Sequence, residues 1–147
     1  RLCQDLAAEV GDFIVLRADG YFAYQLAVVA DDAEQGISHV VRGADLIDST
    51  PRQICLQRHL GLGQPAYLHL PAAVNAAGEK LSKQTRANPI DDSRPQTALT
   101  TVLTFLGQQP PADLPDAGLD ELWCWAIKNW KRNNLPRCRS AEAPAVY

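Results

Sequence analysis

Tyr24-Gln25-Leu26-Ala27-Val28-Val29-Ala30-Asp31-Asp32 is the stretch on which the fold turns. It completes an apolar segment over residues 22–29, nearly continuous from Leu26 onward. An unbroken apolar run is what a strand covered on both faces of a sheet shows. We therefore expect a strand, stopped by Asp31-Asp32. Upstream, Phe13-Ile14-Val15-Leu16-Arg17 is another short β-rich run that meets a turn at Asp19-Gly20. Downstream, His39-Val40-Val41-Arg42-Gly43 reads as a third strand, ended by Gly43. Asp48-Ser49-Thr50-Pro51 supplies a capping side chain and a first-turn proline. Ile54, Cys55 (or Leu56) and Leu60 then give helical spacing over residues 51–60, closed by Gly61. Residues 66–70 form a fourth strand, which leads through Pro71 to Gly78-Glu79-Lys80-Leu81-Ser82-Lys83-Gln84.

This order predicts an α/β layer over residues 1–85 with a site at the strand ends, where open sheets bind ligands. The character changes afterwards. Residues 86–95 are polar and broken by proline, residues 97–106 read as a helix closed by Gly107, and prolines from Pro110 to Pro115 make a rigid connector. Leu119, Leu122, Trp123, Ala126, Ile127 and Trp130 fall on one helical face, so the tryptophans Trp123 and Trp130 are expected in a core. Residues 86–136 are thus a small helical appendage, and residues 137–147 a disordered tail.

The 147 residues amount to one domain in length, with apolar residues enough for a core. The net charge of -3 gives no global support for nucleic-acid binding; Lys128, Lys131, Arg132 and Arg137 near the C-terminal helix read as a solvated helix end, with a local patch for nucleic-acid phosphates as the alternative. No apolar run approaches the ~20 residues needed to cross a membrane. The first residues lack the apolar core of a signal peptide. The four cysteines, Cys3, Cys55, Cys124 and Cys138, form no C-x-x-C pair, so zinc-ligand spacing is absent. Their isolation fits reduced thiols in a cytosolic protein, and Cys55 and Cys124 read as packing residues.

Three features carry candidate chemistry. Lys80 and Lys83 flank Leu81-Ser82 just after Gly78, on what reads as a mobile surface loop. Two flexible point charges there can close on a polyphosphate and neutralise charge as a phosphate ester breaks; a solvated turn is the other reading. Tyr24 can bury its ring while its hydroxyl reaches a pocket. Arg42, at a strand end, can hold a carboxylate in a two-pronged grip, or pair structurally with Asp31, Asp32 or Asp45.

These motifs stand in one order: residues 24–32, then Gly36-Ile37-Ser38-His39-Val40-Val41-Arg42-Gly43-Ala44-Asp45-Leu46, then Ser49-Thr50-Pro51-Arg52-Gln53, His69-Leu70-Pro71 and Lys80-Leu81-Ser82-Lys83. That order resembles the catalytic domain of glutamyl-type class I aminoacyl-tRNA synthetases. Gly43-Ala44-Asp45-Leu46-Ile47 and Lys80-Leu81-Ser82-Lys83-Gln84 point within them to the truncated paralogues, the glutamyl-Q tRNA(Asp) synthetases. The resemblance implies the second half of a Rossmann-like nucleotide-binding catalytic domain. It implies a cytoplasmic ligase that uses ATP, with Mg2+, to activate glutamate and transfers it to the queuosine base of tRNA(Asp). By the same resemblance Tyr24 and Arg42 contact glutamate, Lys83 contacts ATP, and Lys80 assists as a second catalytic lysine. Asp31, Asp32, Asp45 and His69 match family positions near the pocket.

There are also departures. The family's His-x-Gly-His-type motif is missing, since His39, His59 and His69 are isolated, and its zinc ligands are missing too. With no methionine in the chain either, the expectation is the C-terminal half of the enzyme, inactive alone, with the N-terminal half as its partner. A fragment of a full glutamyl-tRNA synthetase, a non-catalytic tRNA-binding fragment and an inert remnant are the alternatives. Neither DNA nor a membrane is expected as a partner.

Overall fold

A computed structural model describes residues 3–82, 85, 87 and 89–144. The chain separates into two compact units, Arg1–His69 and Leu70–Tyr147. This division does not coincide with the boundary expected after residue 85: residues 70–85 lie in the second unit.

In the first unit, a short helix α1 (Leu6–Glu9) is capped by the Asp5 carboxylate, which accepts from the Ala7 and Ala8 N–H groups. The expected strand over residues 13–17 is reduced to a single antiparallel bridge between Leu16 and Phe22. The chain reverses there through Gly20 at φ +84, tied by the Arg17–Asp19 ion pair. The deciding stretch is a helix, α2 (Tyr24–Glu34), and not a strand. Residues 24–34 hold neither glycine nor proline and carry alanines at 27, 30 and 33, which favour helix. A short apolar run has no period to separate the two states. Packing decides: α2 lies against α3 (Thr50–His59), Val29 is buried, and Gln25 is bonded both to Ser49 and to the buried Gln53 of α3.

Strand β1 (His39–Gly43) follows, then a 3-10 turn (Ala44–Ser49), α3 and β2 (Ala66–Leu70). A Cβ at Gly43 would meet the Asp45 carboxylate, which would have to turn aside. The Ala66 N–H bonds to the Ser38 carbonyl at the strand starts, and Arg42 meets His69 near their ends. β1 and β2 are thus parallel neighbours joined by a crossover helix, the βαβ unit of an α/β fold.

In the second unit, β3 (Ala72–Val74) pairs in parallel with β4 (Ser140–Glu142), Ala72 opposite Ser140 and Val74 opposite Glu142. Part of the tail expected to be disordered is therefore a strand, held by main-chain pairing that no side-chain pattern announces. Helices α4 (Pro95–Phe105) and α5 (Leu119–Asn129) enclose a core of Leu103, Leu114, Leu122 and Ala126, with Leu99, Ala117 and Trp125 packed on it. Of the expected face of α5, Leu122 and Ala126 are buried and the rest is not. Trp123, Ile127 and Trp130 are exposed, and Cys124 is exposed as well. Gly107, at φ +73, lies so close to the Asn134 carbonyl that a Cβ would collide with it. Next to it, buried Gln108 bonds to both the N–H and the carbonyl of Lys131. Among the described residues no helix is long and apolar enough to cross a membrane.

Candidate functional site

Arg42 is the penultimate residue of β1, and its side chain is half-buried. Its Nε donates to His69 Nε2 at 3.3 Å. Its Nη2 donates to the Thr50 hydroxyl at 2.8 Å and to the Leu46 carbonyl at 3.3 Å. The guanidinium also lies over the Tyr67 ring, 5.3 Å from its centroid. Three elements converge to make this cradle: the 3-10 turn gives Leu46, the first residue of α3 gives Thr50, and β2 gives Tyr67 and His69. Tyr67 and His69 are two apart on a strand and so share a face; their rings stack at 6.3 Å with 7° between planes.

The hydrogen bonds fix the state of His69. Nε2 accepts from Arg42, and Thr50 Oγ1 sits 3.0 Å from the same nitrogen. Because Nε2 accepts from Arg42 and so carries no proton, the Thr50 hydroxyl is the donor in its bond to Nε2. The ring is then neutral, with its proton on Nδ1. Burial first, and the Arg42 charge second, lower the His69 pKa from 6.5. Burial raises the Tyr67 pKa above 10.0 against the opposing pull of Gln57 and Arg42, with Asp32 and Tyr24 adding to the rise. Buried Gln57 donates to the Tyr67 hydroxyl at 2.9 Å and thereby steadies the ring beneath Arg42.

Of the residues singled out from sequence, Arg42 and His69 are in direct contact. Tyr24 opens α2 with its side chain about half exposed, near enough to Tyr67 to influence it. Asp31 is exposed and Asp32 half-buried on the same helix. The hydrogen bonds of Arg42 to Thr50, His69 and Leu46 are bonds to neutral acceptors. Thr50, Tyr67 and Gln57 were not singled out as site residues. The alternation Tyr67-x-His69 was the one available signal for Tyr67, and Thr50 read as no more than a helix start.

Lys80 belongs to the second unit and is exposed. It bridges antiparallel to Val74, the last residue of β3, directly across the turn that joins them. The turn is built by Asn75, whose Oδ1 accepts from the Ala77 and Glu79 N–H groups, and by Gly78 at φ +79. The Thr85 hydroxyl bonds to the Lys80 carbonyl and to the Ser82 N–H. The first half of the lysine segment is therefore a hairpin arm pinned at both ends, not a free loop. Lys83 lies outside the described residues. Among the described residues no group of three or more His, Cys, Asp or Glu side chains is arranged to hold a metal ion.

The chain is 58% identical over 144 residues to a glutamyl-Q tRNA(Asp) synthetase of Aromatoleum aromaticum, covering 98% of this chain and 46% of that protein. It is 56% identical over 133 residues to one of Chromobacterium violaceum, covering 90% and 44%. It thus spans about half the length of the curated relatives it matches. A glutamate-tRNA synthetase structure from Elizabethkingia anophelis superposes with a TM-score of 0.62 at 25% identity, covering 90% of this chain and 30% of that one. A glutamate tRNA ligase from Elizabethkingia meningosepticum, solved with its amino acid, does so equally well. Residues 3–113 match the family described as tRNA synthetases class I (E and Q), catalytic domain, and the chain belongs to that family.

Proposed function

We propose that this chain is the C-terminal half of a cytoplasmic ligase that activates glutamate with ATP and transfers it to the queuosine base of tRNA(Asp). Arg42 and Tyr24 contact the glutamate. Lys83 contacts ATP and Lys80 assists, neutralising charge as pyrophosphate leaves. Mg2+ accompanies the ATP phosphates as part of the substrate. Catalysis is positional and electrostatic, with no covalent enzyme intermediate. The observation that carries this reading is the Arg42 cradle at the end of β1. Nε and Nη2 are bonded to His69, Thr50 and Leu46, and among the described residues Nη1 makes no hydrogen bond. A guanidinium held in this way keeps the Nη1 donors for a charge-assisted bond to a carboxylate. The paralogue with queuosine specificity is favoured over a full glutamyl-tRNA synthetase by the names of the relatives at 58% and 56% identity.

The test is glutamate-dependent ATP–pyrophosphate exchange in the full-length protein that contains this chain. Arg42→Lys should weaken glutamate binding by roughly 2–3 kcal/mol, about 30- to 150-fold, because an ammonium cannot keep the bonds to His69, Thr50 and Leu46 and also offer the donors that Nη1 supplies. Glutamylation should then be seen with queuosine-containing tRNA(Asp) and not with tRNA(Asp) lacking the modification. If Arg42→Lys unfolds the protein but leaves its folded fraction fully active, Arg42 is structural and the reading fails.

A further inference from the structure

We propose that Thr50 and His69 are positioning residues for glutamate binding: together they lock the Arg42 guanidinium in one orientation and so set glutamate affinity without touching the substrate. The proposal rests on the reading of Arg42 as the glutamate-binding group and goes beyond it, because neither residue carries a charge that a substrate carboxylate would seek.

The geometry argues for it in three ways. First, the bonds form a closed triangle. Arg42 Nη2 donates to Thr50 Oγ1 at 2.8 Å, Thr50 Oγ1 lies 3.0 Å from His69 Nε2, and Arg42 Nε donates to the same Nε2 at 3.3 Å. A triangle of hydrogen bonds removes rotations that a single bond would leave. Second, the bonds consume a particular subset of donors. Nε and both Nη2 hydrogens are engaged, the second Nη2 hydrogen by the Leu46 carbonyl, so the donors left for a ligand are those of Nη1. Third, the lower surface is filled by the Tyr67 ring, which is itself held by Gln57, so the guanidinium cannot drop out of plane. An arginine side chain otherwise loses rotamer freedom on binding. Fixing it beforehand moves that cost from the binding step to folding.

Thr50 is also the first residue of α3, but its hydroxyl is directed to Arg42 and His69, and no side-chain cap bond is made at the preceding Ser49. Thr50→Val keeps the shape and the β-branch while removing the hydroxyl, and Thr50→Ser keeps the hydroxyl. The two variants separate the bond from the packing.

The experiment measures KM for glutamate, KM for ATP and kcat by pyrophosphate exchange in the full-length protein, for wild type, Thr50→Val, Thr50→Ser, His69→Gln, His69→Leu and Arg42→Lys. Thr50→Val should raise KM for glutamate about tenfold, the scale of one lost hydrogen bond to a charged group. KM for ATP and kcat should stay within about twofold, and Thr50→Ser should restore most of the affinity. His69→Leu should resemble Thr50→Val. His69→Gln, which retains an acceptor near the Nε2 position, should be milder. If Arg42→Lys weakens glutamate but Thr50→Val and His69→Leu do not, the positioning role is overturned and the reading of Arg42 stands. If Arg42→Lys leaves glutamate binding unchanged, that reading itself fails. If Thr50→Val lowers kcat and affects both substrates alike, or Thr50→Ser fails to rescue, the pair is merely structural and the proposal is overturned.

Discussion

At the scale of single residues, His69 shows how a neighbouring cation selects a protonation state. Its Nε2 is an acceptor for Arg42 and for the Thr50 hydroxyl, and protonation would place a positive ring against the guanidinium. Burial and the Arg42 charge accordingly lower its pKa from 6.5. As pH falls, the unfolded chain takes up this proton before the folded one does. The stability contributed by neutral His69 is thus complete above about pH 6.5 and is lost as pH drops through the lower folded value. We expect the difference in melting temperature between wild type and His69→Gln to move against wild type as pH goes from 7.5 to about 5. Thermal melts of both proteins across that range check it; a difference that does not vary with pH would show that His69 does not titrate between the two states.

At the scale of elements, α5 separates apolar pattern from burial. Two apolar stripes run along its 11 residues: Leu122 and Ala126, with Trp125 beside them, face α4 and the Leu114 turn, while Leu119, Trp123 and Ile127 do not. Leu122 is 0% exposed and Ile127 76% exposed. Leu122→Ala should therefore cost about 2–5 kcal/mol through lost burial and a residual cavity. Ile127→Ala should change stability by no more than about 0.5 kcal/mol. Urea unfolding of the two variants distinguishes the faces, and equal losses would mean that the helix is rotated from the orientation described.

At the scale of the whole molecule, the chain covers 46% of the length of its Aromatoleum relative, and the full reaction belongs to the longer protein in our proposal. The 147 residues include the Arg42 cradle and both signature lysines but no His-x-Gly-His-type motif. We expect this chain alone to give no glutamate-dependent ATP–pyrophosphate exchange and to bind ATP no more tightly than about millimolar, roughly 4 kcal/mol. Calorimetric titration with ATP is the direct measurement; micromolar binding would reveal a complete nucleotide site within these residues.

The order of motifs in the sequence was enough to identify the family, and Gly43, Pro51, Gly61 and Gly107 mark the ends of β1, α3 and α4. Those signals are local, because a cap or a fixed φ acts within one turn of its residue. Tertiary structure alone decided the rest. Tyr24–Glu34 is a helix because α3 offers a surface for it, a choice that an apolar run without a period cannot express. β4 exists because β3 supplies main-chain partners from a distant part of the chain. Thr50 and His69 reach Arg42 because β1 and β2 lie side by side with α3 crossing between them. Such contacts join residues far apart in the chain, and the distance between two hydrogen-bonding atoms is a property of packed elements, not of the order of residues.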